Sequence, residues 1–177
     1  MTGPLDGVRV LDFSRVLAGP FATMHLADLG AEVVKVERPE TGDDTRSFGP
    51  PFSGGVSTYF LSINRGKRSI TIDLKTEAGR ATAMKLAEKA DVVIENFRPG
   101  VMDRLGLGPD VLRALNPELI YCSISGFGRD VERAGYDLVI QGMGGIPSIT
   151  GDPEGEPAKC GASIADLVTA CTPSRGF

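Results

Sequence analysis

Histidine and cysteine are scarce in this sequence: His25 is the single imidazole, and Cys122, Cys160 and Cys171 are the three thiols. An odd number of cysteines without metal-ligand spacing gives neither a disulfide framework nor a zinc site. His25 lies in a mostly apolar stretch with no carboxylate or second histidine at ligand spacing, so it reads as a structural residue and no metal centre is expected. No run approaches the roughly 18 to 20 apolar residues of a membrane helix. The start, Met1-Thr2-Gly3-Pro4-Leu5-Asp6-Gly7, lacks the basic residues and apolar stretch of a secretion signal. A soluble, cytoplasmic protein with no membrane partner is predicted. Acidic residues outnumber basic ones by 23 to 19, which argues against nucleic acid as a partner. Internal repeats and low-complexity tracts are also missing.

What remains is a chain of 177 residues, 41% of them hydrophobic, enough for one core. Its patterning alternates strands with helices. Val8 to Phe13 alternates as a strand, Pro20 and Gly30 bracket a helix carrying Ala22, Leu26 and Leu29 on one face, and Glu32 to Val36 forms the next strand. Residues 39 to 56, rich in glycine and proline, read as an extended surface loop. A second unit follows: a strand over Arg68 to Asp73, a helix from about Thr76, and a strand over Asp91 to Glu95. Helical turns are expected at Gly100 to Leu105 and Pro109 to Leu115. A buried strand at Leu119 to Ile124 then leads into the loop Gly126-Phe127-Gly128. A short helix over Tyr136 to Met143, a surface loop over 151 to 159 and a helix from near Ser163, stopped by Pro173, complete the reading. Two β-α-β units predict a doubly wound, Rossmann-like α/β parallel sheet.

Ligands of such sheets bind at the carboxyl ends of the strands. The loop after the first strand, Phe13-Ser14-Arg15-Val16-Leu17-Ala18-Gly19-Pro20, has one glycine where G-x-G-x-x-G requires three, and no Walker lysine pattern occurs. Nicotinamide, flavin and P-loop cofactors are therefore not expected. Basic residues do fall in short groups, Lys67-Arg68, Lys75, Arg98 and Arg104, which leaves room for a local anion site despite the net charge of −4.

Five segments carry a resemblance. They are Gly7-Val8-Arg9-Val10-Leu11-Asp12, the stretch from Leu29 to Pro39, Asn64-Arg65-Gly66-Lys67-Arg68-Ser69, Glu95-Asn96-Phe97-Arg98-Pro99-Gly100 and Ser123-Ile124-Ser125-Gly126-Phe127-Gly128. Taken together and in this order, the chain resembles the family III CoA transferases, the CaiB/BaiF family, which includes formyl-CoA transferase, carnitine CoA-transferase and α-methylacyl-CoA racemase. Coenzyme A is there a substrate and carrier, and no separate cofactor is implied. The resemblance implies Arg38, Lys75 and Arg104 as cations for the CoA phosphates, Leu74, Asn96, Phe97 and Arg98 as the lining of the nucleotide, and Val16, Leu17 and Ala18 against the pantetheine arm. Tyr136 and Gln141 would lie near the acyl end.

The same resemblance, through Gly161-Ala162-Ser163-Ile164-Ala165-Asp166, makes Asp166 the nucleophile. Acyl-CoA and a carboxylic acid are the implied partners, with an aspartyl anhydride and an aspartyl-CoA thioester between them. Racemases of the family carry Gly-His-Asp where this chain has Gly135-Tyr136-Asp137. Phenols, with ordinary pKa values of about 10, are poor bases at neutral pH, so transfer is expected, with a racemase-like enzyme or a non-catalytic CoA-binding remnant as alternatives. Family enzymes are homodimers of chains more than twice this long. Residues 1–177 are thus expected to be the N-terminal part of the large CoA-binding domain, without the small domain and the C-terminal return segment. The departure from the family pattern from Cys171 onward reads as a truncated or frame-shifted end.

Overall fold

A computed structural model of the protein describes residues 3–172. The helix stop at Pro173 and the tail beyond it lie outside the described residues. In chain order the elements are β1 (Arg9–Asp12), α1 (Ala18–Asp28), β2 (Glu32–Glu37), β3 (Phe52–Ser53), β4 (Val56–Ser57), α2 (Thr58–Asn64) and β5 (Arg68–Thr71). Next come α3 (Glu77–Glu88), β6 (Val92–Glu95), α4 (Val101–Arg104), α5 (Pro109–Leu115), β7 (Ile120–Ser123), α6 (Asp137–Met143) and α7 (Ile164–Cys171).

Five strands form one parallel sheet in the order β5-β2-β1-β6-β7. The doubly wound expectation is met. The chain winds outward from β1 through β2 to β5, then returns to the other side of β1 as β6 and winds outward again to β7. The winding reverses between β1 and β6, and there the loops leaving their carboxyl ends part to open a crevice.

Alternation in the strands builds a core on both faces. Leu11, Val36 and Val93 point to the face covered by α3, α4 and α5, where they meet Ala83, Ala87, Met102 and Leu112. Val10, Val33, Val92 and Ile94 point the other way and meet Leu26 of α1. The helices begin where side chains satisfy their first amides: the Thr76 hydroxyl accepts from Gly79 N at the start of α3, and Pro109 opens α5 without an amide to satisfy.

Two expectations need correction. Residues 39 to 56 are not an extended loop throughout, because Asp44–Ser47 forms a 3-10 turn capped by Asp43, and Phe52–Ser53 pairs antiparallel with Val56–Ser57. The Gly54-Gly55 pair between those strands is a hairpin turn, and Ser57, whose hydroxyl accepts from Phe60 N, caps the unforeseen helix α2. The strand β7 is half-exposed rather than buried, since it forms one edge of the described sheet and Ile120 is 44% exposed. No helix among the described residues is long and apolar enough to cross a membrane.

Candidate active site

The crevice between β1 and β6 is closed at its base by a short, tightly bonded loop. Leaving β1, residues 13 to 17 pass over the sheet's carboxyl edge, and Phe13 N donates to Ile94 O at 2.8 Å. The side-chain amide of Asn96, just past β6, takes both backbone groups of Arg15: Oδ1 accepts from Arg15 N and Nδ2 donates to Arg15 O, each at 2.7 Å. A Cβ on Gly19 would fall 2.2 Å from Ser14 Cβ, so glycine there lets α1 begin hard against this loop. No side chain caps the first turn of α1.

Two hollows open on either side of this loop. One, of about 420 Å³, is lined by Arg38, Pro39, Ile72, Leu74, Lys75, Val101 and Leu105. The other, of about 350 Å³, is lined by Val16, Leu17, Ala18, Gly126, Tyr136, Asp137, Ala165 and Asp166. Arg15, Phe97 and Arg98 border both, and the Arg15 guanidinium lies 4.8 Å from the centre of the Phe97 ring. A long ligand crossing that partition would have one end among cations and the other beside a carboxylate. A third hollow, of about 490 Å³, lies beyond Arg98 but carries Glu95, Asp103, Asp130 and Glu132, a poor setting for a polyanion.

Asp166 stands in the first turn of α7, which packs against α1 and α6. Its helix is capped from outside: Asp137 Oδ1 accepts from Ala165 N at 2.9 Å and from Asp166 N at 3.3 Å. Gln141 Nε2 donates to Asp137 Oδ2 at 2.6 Å, while Gln141 Oε1 accepts from Cys160 N at 2.9 Å. Gln141 is thereby a buried clasp between α6 and the segment leading to α7. Asp137 itself is brought in by a close backbone crossing, since a Cβ on Gly135 would lie 2.5 Å from Gly126 Cα. Burial, and then the neighbouring Asp137 charge, push the Asp166 carboxyl up to about 6. Tyr59 of α2 is raised by burial and by the charges of Asp166, Asp137 and Asp43, which puts it within their field.

Most of the residues singled out in the sequence converge here, in two groups. Arg38, Leu74 and Lys75 line the first hollow; Val16, Leu17, Ala18, Asn96, Tyr136 and Asp166 line the second; Phe97 and Arg98 stand where they meet. Tyr136 is 68% exposed. Arg38 already pairs with Asp44 at 2.5 Å, whereas the Lys75 ammonium makes no ion pair among the described residues. Arg104 borders none of the three hollows, and its guanidinium folds back over Gly100. Asp137, Tyr59 and Arg15 escaped the sequence reading as site residues. Asp137 had a usable signal in the Gly135-Tyr136-Asp137 segment, while Tyr59 sits on the helix that reading did not foresee. His25 stacks edge-on against Phe21, with ring centroids 4.4 Å apart. No cluster of three or more His, Cys, Asp or Glu suited to a metal occurs among the described residues.

The fold and site define a doubly wound α/β domain with two adjoining hollows at the switch point, one bearing Arg38 and Lys75 and the other the raised Asp166 carboxyl, an arrangement with room for an extended anionic ligand. The comparisons with known proteins narrow that class. The model of CoA-transferase family III matches residues 5–176. The chain is 52% identical to a succinate–glutarate CoA-transferase of Agrobacterium fabrum over 94% of its length and 44% of that protein's. It is 50% identical to an acetyl-CoA:oxalate CoA-transferase of Acetobacter aceti over 93% of its length and 43% of that protein's. It superimposes on the crystal structure of a CAIB/BAIF family protein from Brucella suis with a TM-score of 0.95 and 52% identity, covering 99% of this chain and 48% of that one. The chain belongs to CoA-transferase family III. It spans less than half the length of these relatives.

Proposed function

We propose that the chain is the N-terminal part of the large CoA-binding domain of a CoA transferase that moves CoA from an acyl-CoA to a carboxylic acid, and that Asp166 is its nucleophile. The observation that carries this reading is the position of Asp166, at one end of the two-chambered cleft whose other end holds Arg38 and Lys75. In it, the adenosine phosphates of CoA lie against Arg38 and Lys75, with Leu74, Phe97 and Arg98 beside the nucleotide, and pantetheine crosses Val16, Leu17 and Ala18. Guanidinium and ammonium groups give charge-assisted hydrogen bonds to phosphate oxygens. Arg104 contributes through its charge rather than by lining the cleft.

The chemistry needs no redox partner. An ionised Asp166 oxygen attacks the thioester carbonyl carbon, the C–S bond breaks, and CoA leaves as thiolate from a mixed anhydride. The thiolate attacks the aspartyl carbonyl, the anhydride C–O bond breaks, and the donor acid departs as carboxylate. The acceptor carboxylate then attacks the aspartyl-CoA thioester carbonyl, the C–S bond breaks to give a new anhydride and CoA thiolate, and the thiolate attacks the acceptor's acyl carbonyl, breaking that C–O bond to release the new acyl-CoA and restore the Asp166 carboxylate. A carboxyl held near 6 is more basic than an ordinary aspartate yet largely ionised at neutral pH, which suits a nucleophile.

Relatives named for succinate, glutarate and oxalate point to short dicarboxylic acids as acyl groups. Arg15, Arg98 and Arg133 border the Asp166 chamber and suit a second carboxylate. A racemase reading is less favoured, since Gly135-Tyr136-Asp137 places a phenol where the family's racemases carry an imidazole, and His25 stacks on Phe21 in α1. A homodimer and a cytoplasmic location go with the transferase reading. Mixing the chain with acyl-CoA and labelled free acid tests it: label should enter the thioester pool and Asp166→Ala should abolish exchange while CoA binding survives. Exchange unaffected by Asp166→Ala sinks the reading, and CoA binding without exchange favours a non-catalytic CoA-binding role.

A further inference from the structure

Val16 is a β-branched residue held at φ 69°, in the left-handed region that such side chains rarely adopt. Backbone strain of this kind persists where surroundings over-determine it. Here nearly every polar backbone group from residue 14 to 16 is held by a side chain from another element. Ser14 N donates to Asp12 Oδ1 at 2.8 Å, and Lys35 Nζ donates to Ser14 O at 2.7 Å. Asn96 takes Arg15 N and O at 2.7 Å each, and Val16 N donates to Asp43 Oδ1 at 3.3 Å.

The groups that do the holding are themselves fixed. Lys35 and Asp43 are buried and form an ion pair, Nζ to Oδ2, at 2.9 Å. Although burial opposes it, the charge of Lys35, together with hydrogen bonds from Thr45 and Lys35, holds the Asp43 carboxyl below the usual carboxylate range. Asp43 Oδ1 also accepts from Thr45 N and the Thr45 hydroxyl. Such a pair, desolvated at both ends, is a weak device for stability but a strong one for register. It links β2, the loop that follows it and the loop after β1.

We propose that Asn96, backed by the buried Lys35–Asp43 pair, is a positioning residue that holds the strained Val16 peptide and so presents the 15–18 backbone to the pantetheine arm. The inference rests on the CoA reading above. It differs from a lining role for Asn96, because both heavy atoms of its amide already bond Arg15. Asn96 acts on the ligand through the loop, with the Lys35–Asp43 pair keeping Ser14 and Val16 in step with it.

Glycine adopts positive φ without penalty, so Val16→Gly should make the clamp dispensable, which no direct contact between Asn96 and ligand would predict. Titration calorimetry with CoA on wild type, Asn96→Ala and the double variant Asn96→Ala/Val16→Gly tests this. Asn96→Ala should weaken CoA binding about tenfold or more, since small misplacements of a binding surface are expensive, and the added glycine should recover most of it. Asn96→Asp, which keeps the acceptor and loses the donor, is read in the same pair should Asn96→Ala fail to fold. Affinity lost in Asn96→Ala and not recovered by glycine means Asn96 touches the ligand itself and overturns the inference. Affinity unchanged in Asn96→Ala overturns it as well. No CoA binding by the wild-type chain would instead defeat the functional reading on which it stands.

Discussion

Residues 3 to 119 and residues 124 to 172 are built differently. The first region holds every buried apolar side chain among the described residues except Ala170, together with the buried charges of Asp12, Lys35 and Asp43. The second leaves Tyr136, Leu138, Met143, Ile149 and Val168 more than half exposed. The chamber of Arg38 and Lys75 is therefore walled by residues of the buried core region. Asp166 stands on a helix packed on α1 and α6, in a region whose other apolar side chains are largely exposed. Affinity for the CoA nucleotide should be robust to change at the acyl end, while chemistry should be fragile there.

The largest contrast is chemical. On the proposed mechanism, Asp166→Asn should lower exchange by on the order of 10³-fold or more, while CoA affinity changes less than about twofold, because a nucleophile is irreplaceable in covalent catalysis and the chamber of Arg38 and Lys75 lies apart from it. Equal losses in both would erase the division between chambers. Packing gives the next contrast: Ile94→Ala, in a fully buried site, should lose about 2 to 5 kcal/mol, and Leu138→Ala, 58% exposed, should stay within ~0.5 kcal/mol. Denaturant melts of the two variants would show whether the second region contributes more to folding than its exposure indicates.

Ionisation sharpens the acyl end alone. With Asp166 near 6, the rate should rise with pH through that value, and Asp137→Asn, which keeps an oxygen to cap α7 but removes the charge, should move the acid limb lower. The stability effect has the opposite sense. A carboxyl raised from 3.8 to about 6 in the folded state contributes stability below pH ~4 and loses it as pH rises through 6, so ionised Asp166 is a burden at neutral pH. Asp166→Asn should melt a few degrees higher than wild type at pH 7.5, an advantage that disappears below about pH 4. A modest effect on binding belongs to Lys75→Ala, expected to weaken CoA binding about three- to tenfold at low salt and less at high salt, because an exposed ammonium is readily screened.

The sheet was legible in the sequence because its strands are short apolar runs bounded by strong signals: Pro20 and Gly30 around α1, Thr76 and Pro109 at the starts of α3 and α5. The hairpin at 52 to 57 and helix α2 were not, since glycine and proline on both sides of Phe52 masked two-residue strands, and Ser57 as a cap stands out only once α2 is known. β7 looked buried because Ile120, Cys122 and Ile124 suit a central strand; its place at the edge is a property of strand order rather than of its residues. Asp166 is singled out by family resemblance alone. Locally it is one acid in a first helical turn, and what distinguishes it, the Asp137 cap and the chamber in front of it, joins residues 29 apart in sequence.

The most direct test of the central claim is intact-protein and peptide mass spectrometry after incubation with acyl-CoA, with and without hydroxylamine. A covalent adduct of CoA on the peptide holding Asp166, converted by hydroxylamine to an aspartyl hydroxamate and missing in Asp166→Ala, is the predicted result. Acyl transfer proceeding with that peptide unmodified, or with the adduct on another residue, would contradict it.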